Sequence, residues 1–171
     1  MKLILHDLTE ELCQQTGLDS LSKEEFILVD GLGIDRYCIG CFACWLQKPG
    51  KCIIKDEYQN MGINLSKVDE FIIISKSSFG SYSSAVKNVL DRSIAYVMPY
   101  FEIRKGEMHH QERYKKDLVI SAAFYGADIT EDEKETSRNL VKANAVNLNA
   151  TLGKIEFLKG AEDVKEVLAW F

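Results

Sequence analysis

Apolar positions along this chain switch between two spacings, and the switches mark out its elements. Lys2–His6 reads as a short apolar strand, and Thr9–Gln15 as a short helix entered from Asp7 or Thr9. Glu25–Val29 is a second strand. Phe71–Ser75 opens with four consecutive large apolar residues, bounded by Asp69-Glu70 and by Ser77, Ser78 and Gly80. Such an unbroken run predicts a central parallel strand, buried on both faces. From Ser83 onward Val86, Val89, Leu90, Ile94 and Val97 recur at helical spacing, and Pro99 predicts an end or kink.

Leu118–Phe124 is the fourth strand. Thr130-Glu131-Asp132-Glu133 is a helix entry, with a threonine cap and acidic groups over the positive end of the dipole. That helix is predicted to run to about Leu152, where Gly153 closes it. Lys154–Leu158 supplies the fifth strand and Ala161–Phe171 a last amphipathic helix. Arg104–Tyr114 is polar and reads as a loop or hairpin excursion. Strands alternating with helices predict an α/β sandwich with a parallel sheet, and no linker or repeat divides residues 1–171 into more than one domain.

Charge narrows the classes of partner. Twenty-six acidic against 21 basic residues give a net charge of −5, which argues against nucleic acid or an anionic membrane. No apolar run approaches the ~20 residues needed to span a bilayer. Met1–Leu5 has neither a long apolar stretch nor a small-residue cleavage site, so no signal peptide is expected and the predicted compartment is the cytoplasm. There a structural disulfide is disfavoured, leaving free thiols or metal ligation.

Four of the five cysteines, Cys38, Cys41, Cys44 and Cys52, fall within fifteen residues as C-x2-C-x2-C-x7-C. Thiols this close in sequence suit a [4Fe–4S] cluster, another metal, or reduced thiols that pack or carry redox chemistry. Overlapping pairs fit tetrahedral zinc less well than two separated knuckles. Cys13 stands apart, as a small core residue.

In an open parallel sheet ligands bind beyond the C-terminal ends of the strands, near the switch in strand order. Ser77–Ser84 emerges there, rich in hydroxyls, with two aromatics and a helix start, and suits a flat heteroaromatic ring with polar edges. An ordinary serine-capped turn would look the same by composition. Phe124-Tyr125-Gly126-Ala127 ends the next strand, and the cysteine segment is a third wall.

Together Cys38-x-Gly40-Cys41-Phe42-x-Cys44-Trp45, Pro49-Gly50-Lys51-Cys52-Ile53-Ile54-Lys55-Asp56, Phe79-Gly80-x-Tyr82-Ser83-Ser84, Leu90-Asp91-Arg92 and Gly106-Glu107-Met108-His109-His110-x-x-Arg113-Tyr114 resemble the flavodoxin-like NAD(P)H-dependent FMN reductase and iron–sulfur flavoprotein family. The resemblance implies a three-layer flavodoxin-like fold with five parallel strands in the order 2-1-3-4-5. It implies FMN at the strand C-termini, electrons from a nicotinamide or another redox partner, and a homodimer or homotetramer. By position Ser78, Phe79, Gly80, Ser81 and Tyr82 would line the isoalloxazine ring, with Tyr125 and Gly126 flanking it; Cys38, Cys41, Cys44 and Cys52 are the candidate cluster ligands. No catalytic residue follows from the resemblance.

One segment departs from that pattern. Family members follow the first strand with a loop of small and hydroxyl residues whose amides hold the FMN phosphate, whereas this chain has His6-Asp7-Leu8-Thr9-Glu10-Glu11. Only Thr9 suits a phosphate. Each carboxylate held ~4 Å from a phosphate charge costs on the order of 4 kcal/mol at an effective dielectric of about 20. Lys76 stands where the family has Pro, as a solvated strand end or a compensating cation. His109 and His110 read as loop or interface contacts, Arg92 as an internal ion pair, and Trp45 as a lid on the core or on a flavin face. Trp170-Phe171 is expected to pack on the sheet or on a partner chain. Three functions follow: a flavin oxidoreductase with a degenerate phosphate loop, a non-catalytic relative acting as a structural or regulatory partner, and an iron–sulfur redox module.

Overall fold

The computed structural model describes residues 1–104 and 106–170. Five parallel strands, β1 (Lys2–His6), β2 (Phe26–Asp30), β3 (Glu70–Lys76), β6 (Val119–Tyr125) and β7 (Thr151–Leu158), form one sheet in the order β2-β1-β3-β6-β7. Counted within the sheet, that is the expected 2-1-3-4-5. The remaining two strands, β4 (Val97–Arg104) and β5 (Glu107–Glu112), form a separate antiparallel hairpin. The helices are α1 (Glu10–Thr16), α2 (Ala43–Leu46), α3 (Met61–Ser66), α4 (Ser84–Arg92), α5 (Glu131–Asn147) and α6 (Lys165–Leu168).

Alternation along each strand sends its side chains into two cores. Leu3, Leu5, Phe71, Ile73, Ile120 and Phe124 meet Met61, Val86, Val89 and Val141 on one face. Ile4, Ile72, Ile74 and Ala123 meet Leu8, Leu18, Val164 and Val167 on the other. A strand covered by helices on both faces has no polar side to show, which is why β3 is apolar from Phe71 to Ile74 and fully buried there. β1 and β3 pair directly, His6 opposite Ile74, so their C-terminal ends lie side by side at the point where the strand order reverses.

Three expectations are corrected. The helical spacing after Ser83 carries only to Arg92. A 3-10 turn follows, and Val97 and Pro99 begin β4 of the hairpin rather than ending a helix. The helix entered at Thr130 has its full capping box with Glu133 but stops at Asn147. Gly153 lies inside β7 instead, where an added Cβ would sit 2.9 Å from Val119 Cγ1. The residue is glycine there because the strands approach closely at the register shift between Ile120 and Ala122. The last amphipathic segment is shorter than expected, a 3-10 turn at Ala161–Val164 followed by α6. Trp170 packs against the second core, with Lys154 Nζ over its ring, and Phe171 lies outside the described residues.

Arg92 forms the internal ion pair expected of it, with Asp56 rather than with neighbouring Asp91. Its two terminal nitrogens donate to the two Asp56 oxygens at 2.5 and 2.6 Å, and its side chain is fully buried. The guanidinium holds the Asp56 carboxyl below the usual carboxylate range. Asp91 instead pairs with Lys87 one turn earlier.

Candidate functional site

Two turns at the C-terminal edge of the sheet differ in construction. The first follows β3. Ser78 N–H donates to Ser81 C=O and Ser81 N–H to Ser78 C=O, both at 2.9 Å, closing a tight turn whose central residues Phe79 and Gly80 have φ of 52° and 75°. Two positive φ values in sequence mark a type I′-like turn. Gly80 suits its position, and a Cβ there would lie 2.8 Å from Thr136 Cβ and 2.9 Å from the Glu133 carbonyl. Phe79 does not, since an L side chain in this region costs roughly 1–2 kcal/mol. It is nevertheless 92% exposed. Phe42, at φ 55° and 53% exposed, shares that combination in the cysteine loop.

The turn is anchored on two sides. Ser137 Oγ, on α5, donates to Gly80 C=O at 3.1 Å. Ser83 caps α4, its Oγ accepting from Val86 N–H, while its own N–H donates to the buried Ser75 Oγ at 2.9 Å. Tyr82 is turned inward, contrary to a place on an open ring surface. It is 3% exposed, stacks on Phe124, and accepts from Asn144 Nδ2 at 3.0 Å. Burial pushes its phenol up to about 12.

The second turn follows β1 and is closed. Asp7, 6% exposed, accepts from Lys76 N–H at 3.1 Å to each carboxylate oxygen. Tyr125 OH donates to its Oδ1 at 3.0 Å, and Ser75 Oγ to its Oδ2 at 3.5 Å. Burial, then the Asp7 charge, pushes the Tyr125 phenol well above its ordinary range. Beside it His6, 5% exposed, accepts at Nδ1 from Leu8 N–H, and burial lowers its pKa against the opposing pull of Asp30 and Asp7. Thr9 is the N-cap of α1, its Oγ1 accepting from Leu12 N–H, and Glu10 and Glu11 fill the first helical turn. Gly126 N–H is bonded to Leu158 C=O, at the mouth of the next strand. Lys76 contributes its backbone amide here, while its side chain is exposed.

The cysteine loop has no regular structure until α2, and its hydrogen bonds reach Arg92, through Arg36 C=O, and Ile94 and Val97, through Trp45. Cys38 and Cys41 are exposed, Cys44 and Cys52 half-buried, and all five cysteines are free thiols. Burial raises the Cys44 pKa, and so do the neighbouring Cys52, Cys38 and Cys41. Among the described residues no group of three or more His, Cys, Asp or Glu side chains is placed to hold a metal ion. Trp45 closes the core, donating from Nε1 to Val97 C=O at 3.0 Å and stacking on Phe42. His110 packs between Trp45 and Phe101, and His109 contacts Glu107. A cavity of about 470 Å³ lies elsewhere, between α4, α5 and the hairpin, and includes neither turn.

No protein-family model and no curated protein matches the sequence. Solved structures do match along its length. An FMN-dependent NADH-azoreductase from Bacillus anthracis, solved in complex with FMN, is 13% identical with TM-score 0.57, covering 99% of this chain and 98% of its own. General stress protein 14 from Treponema denticola, also in complex with FMN, is 14% identical with TM-score 0.56, covering 99% and 95%. An NAD(P)H:quinone oxidoreductase from Methanothermobacter marburgensis is 9% identical with TM-score 0.55, covering 98% and 94%. At these identities the likeness establishes the fold, which is the three-layer flavodoxin-like one.

Set against the residues present, FMN fits at one end. The turn after β3 offers an exposed aromatic ring, the Ser78 and Ser81 hydroxyls and an adjacent Gly126, which suits an isoalloxazine. The turn after β1 offers carboxylates where a phosphate needs donors. The sequence missed Ser75, a lone serine at the end of an apolar strand, and it gave no signal that Asp7 gathers donors from two other strands.

Proposed function

We propose that this chain is a flavin-dependent oxidoreductase of the NAD(P)H-dependent FMN reductase type, with an altered phosphate end. The observation that carries the reading is Phe79, strained and exposed at the strand edge where this fold binds its ligands. Full-length likeness to FMN-dependent reductases supports it. A bound flavin would supply hydride transfer between a nicotinamide and an acceptor. Phe79 would lie against the ring, Ser78 and Ser81 would meet its polar edge, and Tyr125 and Gly126 would border it. Gly80 holds the turn open by letting α5 approach, and Thr9 stays with its helix.

The domain is single over residues 1–171, and its place is the cytoplasm; no helix among the described residues is long and apolar enough to cross a membrane. Homodimer or homotetramer formation is supported by the exposed Tyr37, Ile39, Phe42 and Leu46 on and beside the cysteine loop.

An absorbance spectrum of anaerobically purified protein, followed by addition of flavins and NAD(P)H, tests the assignment. Flavin retained or quenched, and reduced on adding nicotinamide, is the expected result. Failure to retain any flavin would sink it and favour the non-catalytic reading, and a broad brown absorbance without flavin would favour the cluster.

A further inference from the structure

Building on the flavin reading, we infer that the pocket selects an isoalloxazine without a terminal phosphate, such as riboflavin, because the Asp7 carboxylate stands where that phosphate would go. In a sheet of this order the cofactor sits at the switch between β1 and β3. Asp7 is the first residue beyond β1, and both its oxygens are engaged by the Lys76 amide at the end of β3. Ser75 and Tyr125 add hydroxyl donors from β3 and β6. The donors that converge at the switch point are therefore spent on an anion that belongs to the chain.

The surroundings exclude a second anion. Asp7 is buried, so solvent screens it poorly. Glu10 and Glu11 occupy the start of α1, beside Thr9, whose Oγ1 accepts from Leu12 N–H. His6 has its protonated form disfavoured by burial, and its Nδ1 accepts from Leu8 N–H; Lys76, whose amide binds Asp7, has its side chain exposed to solvent. The Ser78–Ser81 turn itself makes no bond to Asp7; it is linked to it through Ser83 N–H and Ser75 Oγ on one side and through Ser77 and the Tyr125 hydroxyl on the other. Selectivity and ring binding are thus separate properties of adjacent strand ends.

Equilibrium titration of the purified chain with riboflavin, FMN and lumiflavin, read by flavin fluorescence, tests this. Riboflavin is expected to bind roughly tenfold or more tightly than FMN, with lumiflavin close to riboflavin. Raising the salt concentration should narrow the gap by screening the exposed Glu10 and Glu11. Glu10→Gln with Glu11→Gln, both on the surface, should shift the FMN-to-riboflavin ratio toward FMN by roughly two- to fourfold, and Asp7→Asn by more. FMN binding as tightly as riboflavin in the unmodified chain would overturn the inference and leave the oxidoreductase reading standing. Binding of no flavin would overturn both.

Discussion

The turn after β3 and the turn after β1 occupy equivalent places, at the ends of neighbouring parallel strands, yet they solve opposite problems. The first keeps an aromatic residue in an unfavourable backbone conformation and leaves its ring in water. The second hides a carboxylate and surrounds it with three donor groups. A position that is strained and exposed is free to gain on binding, whereas one that is satisfied and buried can only lose its partners. Position at a sheet's C-terminal edge therefore does not make a ligand contact; local satisfaction decides which turn is available.

Substitutions in each turn would break this contrast in different ways. Asp7→Ala should have the largest effect, destabilising the protein by about 3 kcal/mol in urea unfolding. It leaves the Lys76 amide buried without its acceptor and strips the Ser75 and Tyr125 hydroxyls of their charged one, leaving them the Lys76 and Asp7 carbonyls. Gly80→Ala should cost about 2 kcal/mol, from a positive φ and from contact with Thr136 and the Glu133 carbonyl. Unlike the Asp7 change it should also weaken flavin retention, since it distorts the turn itself. Phe79→Gly should act the other way on stability, gaining about 0.5–1 kcal/mol by relieving strain while still lowering flavin affinity. A loss of stability there would mean that the exposed ring is packed after all.

The smallest effect is a pH slope. His6 has a folded pKa below its unfolded value of about 6.5, so its contribution is present above that pH and is lost as acid protonates it. Tm should fall as the pH drops from about 6.5 toward 5. His6→Asn, whose side-chain oxygen can accept from Leu8 N–H as Nδ1 does, should flatten that part of the curve.

Much of the fold was legible in the sequence because burial on both faces leaves no room for ambiguity. Phe71–Ile74 and Leu118–Phe124 are strands for that reason. A loop or hairpin was legible at Arg104–Tyr114, but its first strand was hidden because Ile94 and Val97 extend the helical spacing of Val86 and Val89 by coincidence, across a 3-10 turn into a strand. Gly153 read as a helix stop because a glycine needed for close strand packing is indistinguishable, in sequence, from one needed for a positive φ. At the site, the acidic first turn and the Ser-Phe-Gly-Ser segment were both visible. Their outcome was not: Asp7 is satisfied by groups far along the chain, and the strain at Phe79 exists only once the turn closes. Tyr82, three residues from the strain, looked equally suited to a ring and is in fact core.

The hairpin has a bearing on the order of assembly. β4 and β5 pair close in sequence, Arg104 opposite Glu107, whereas β1 must wait for β3, Lys2 opposite Glu70. Local pairs close in microseconds, and parallel pairs between distant segments come later, after a larger loss of chain entropy. The hairpin is thus expected to form early and the sheet edge that carries both turns late, so a nascent chain would display Tyr100, Phe101 and Ile103 of β4 before that edge is assembled.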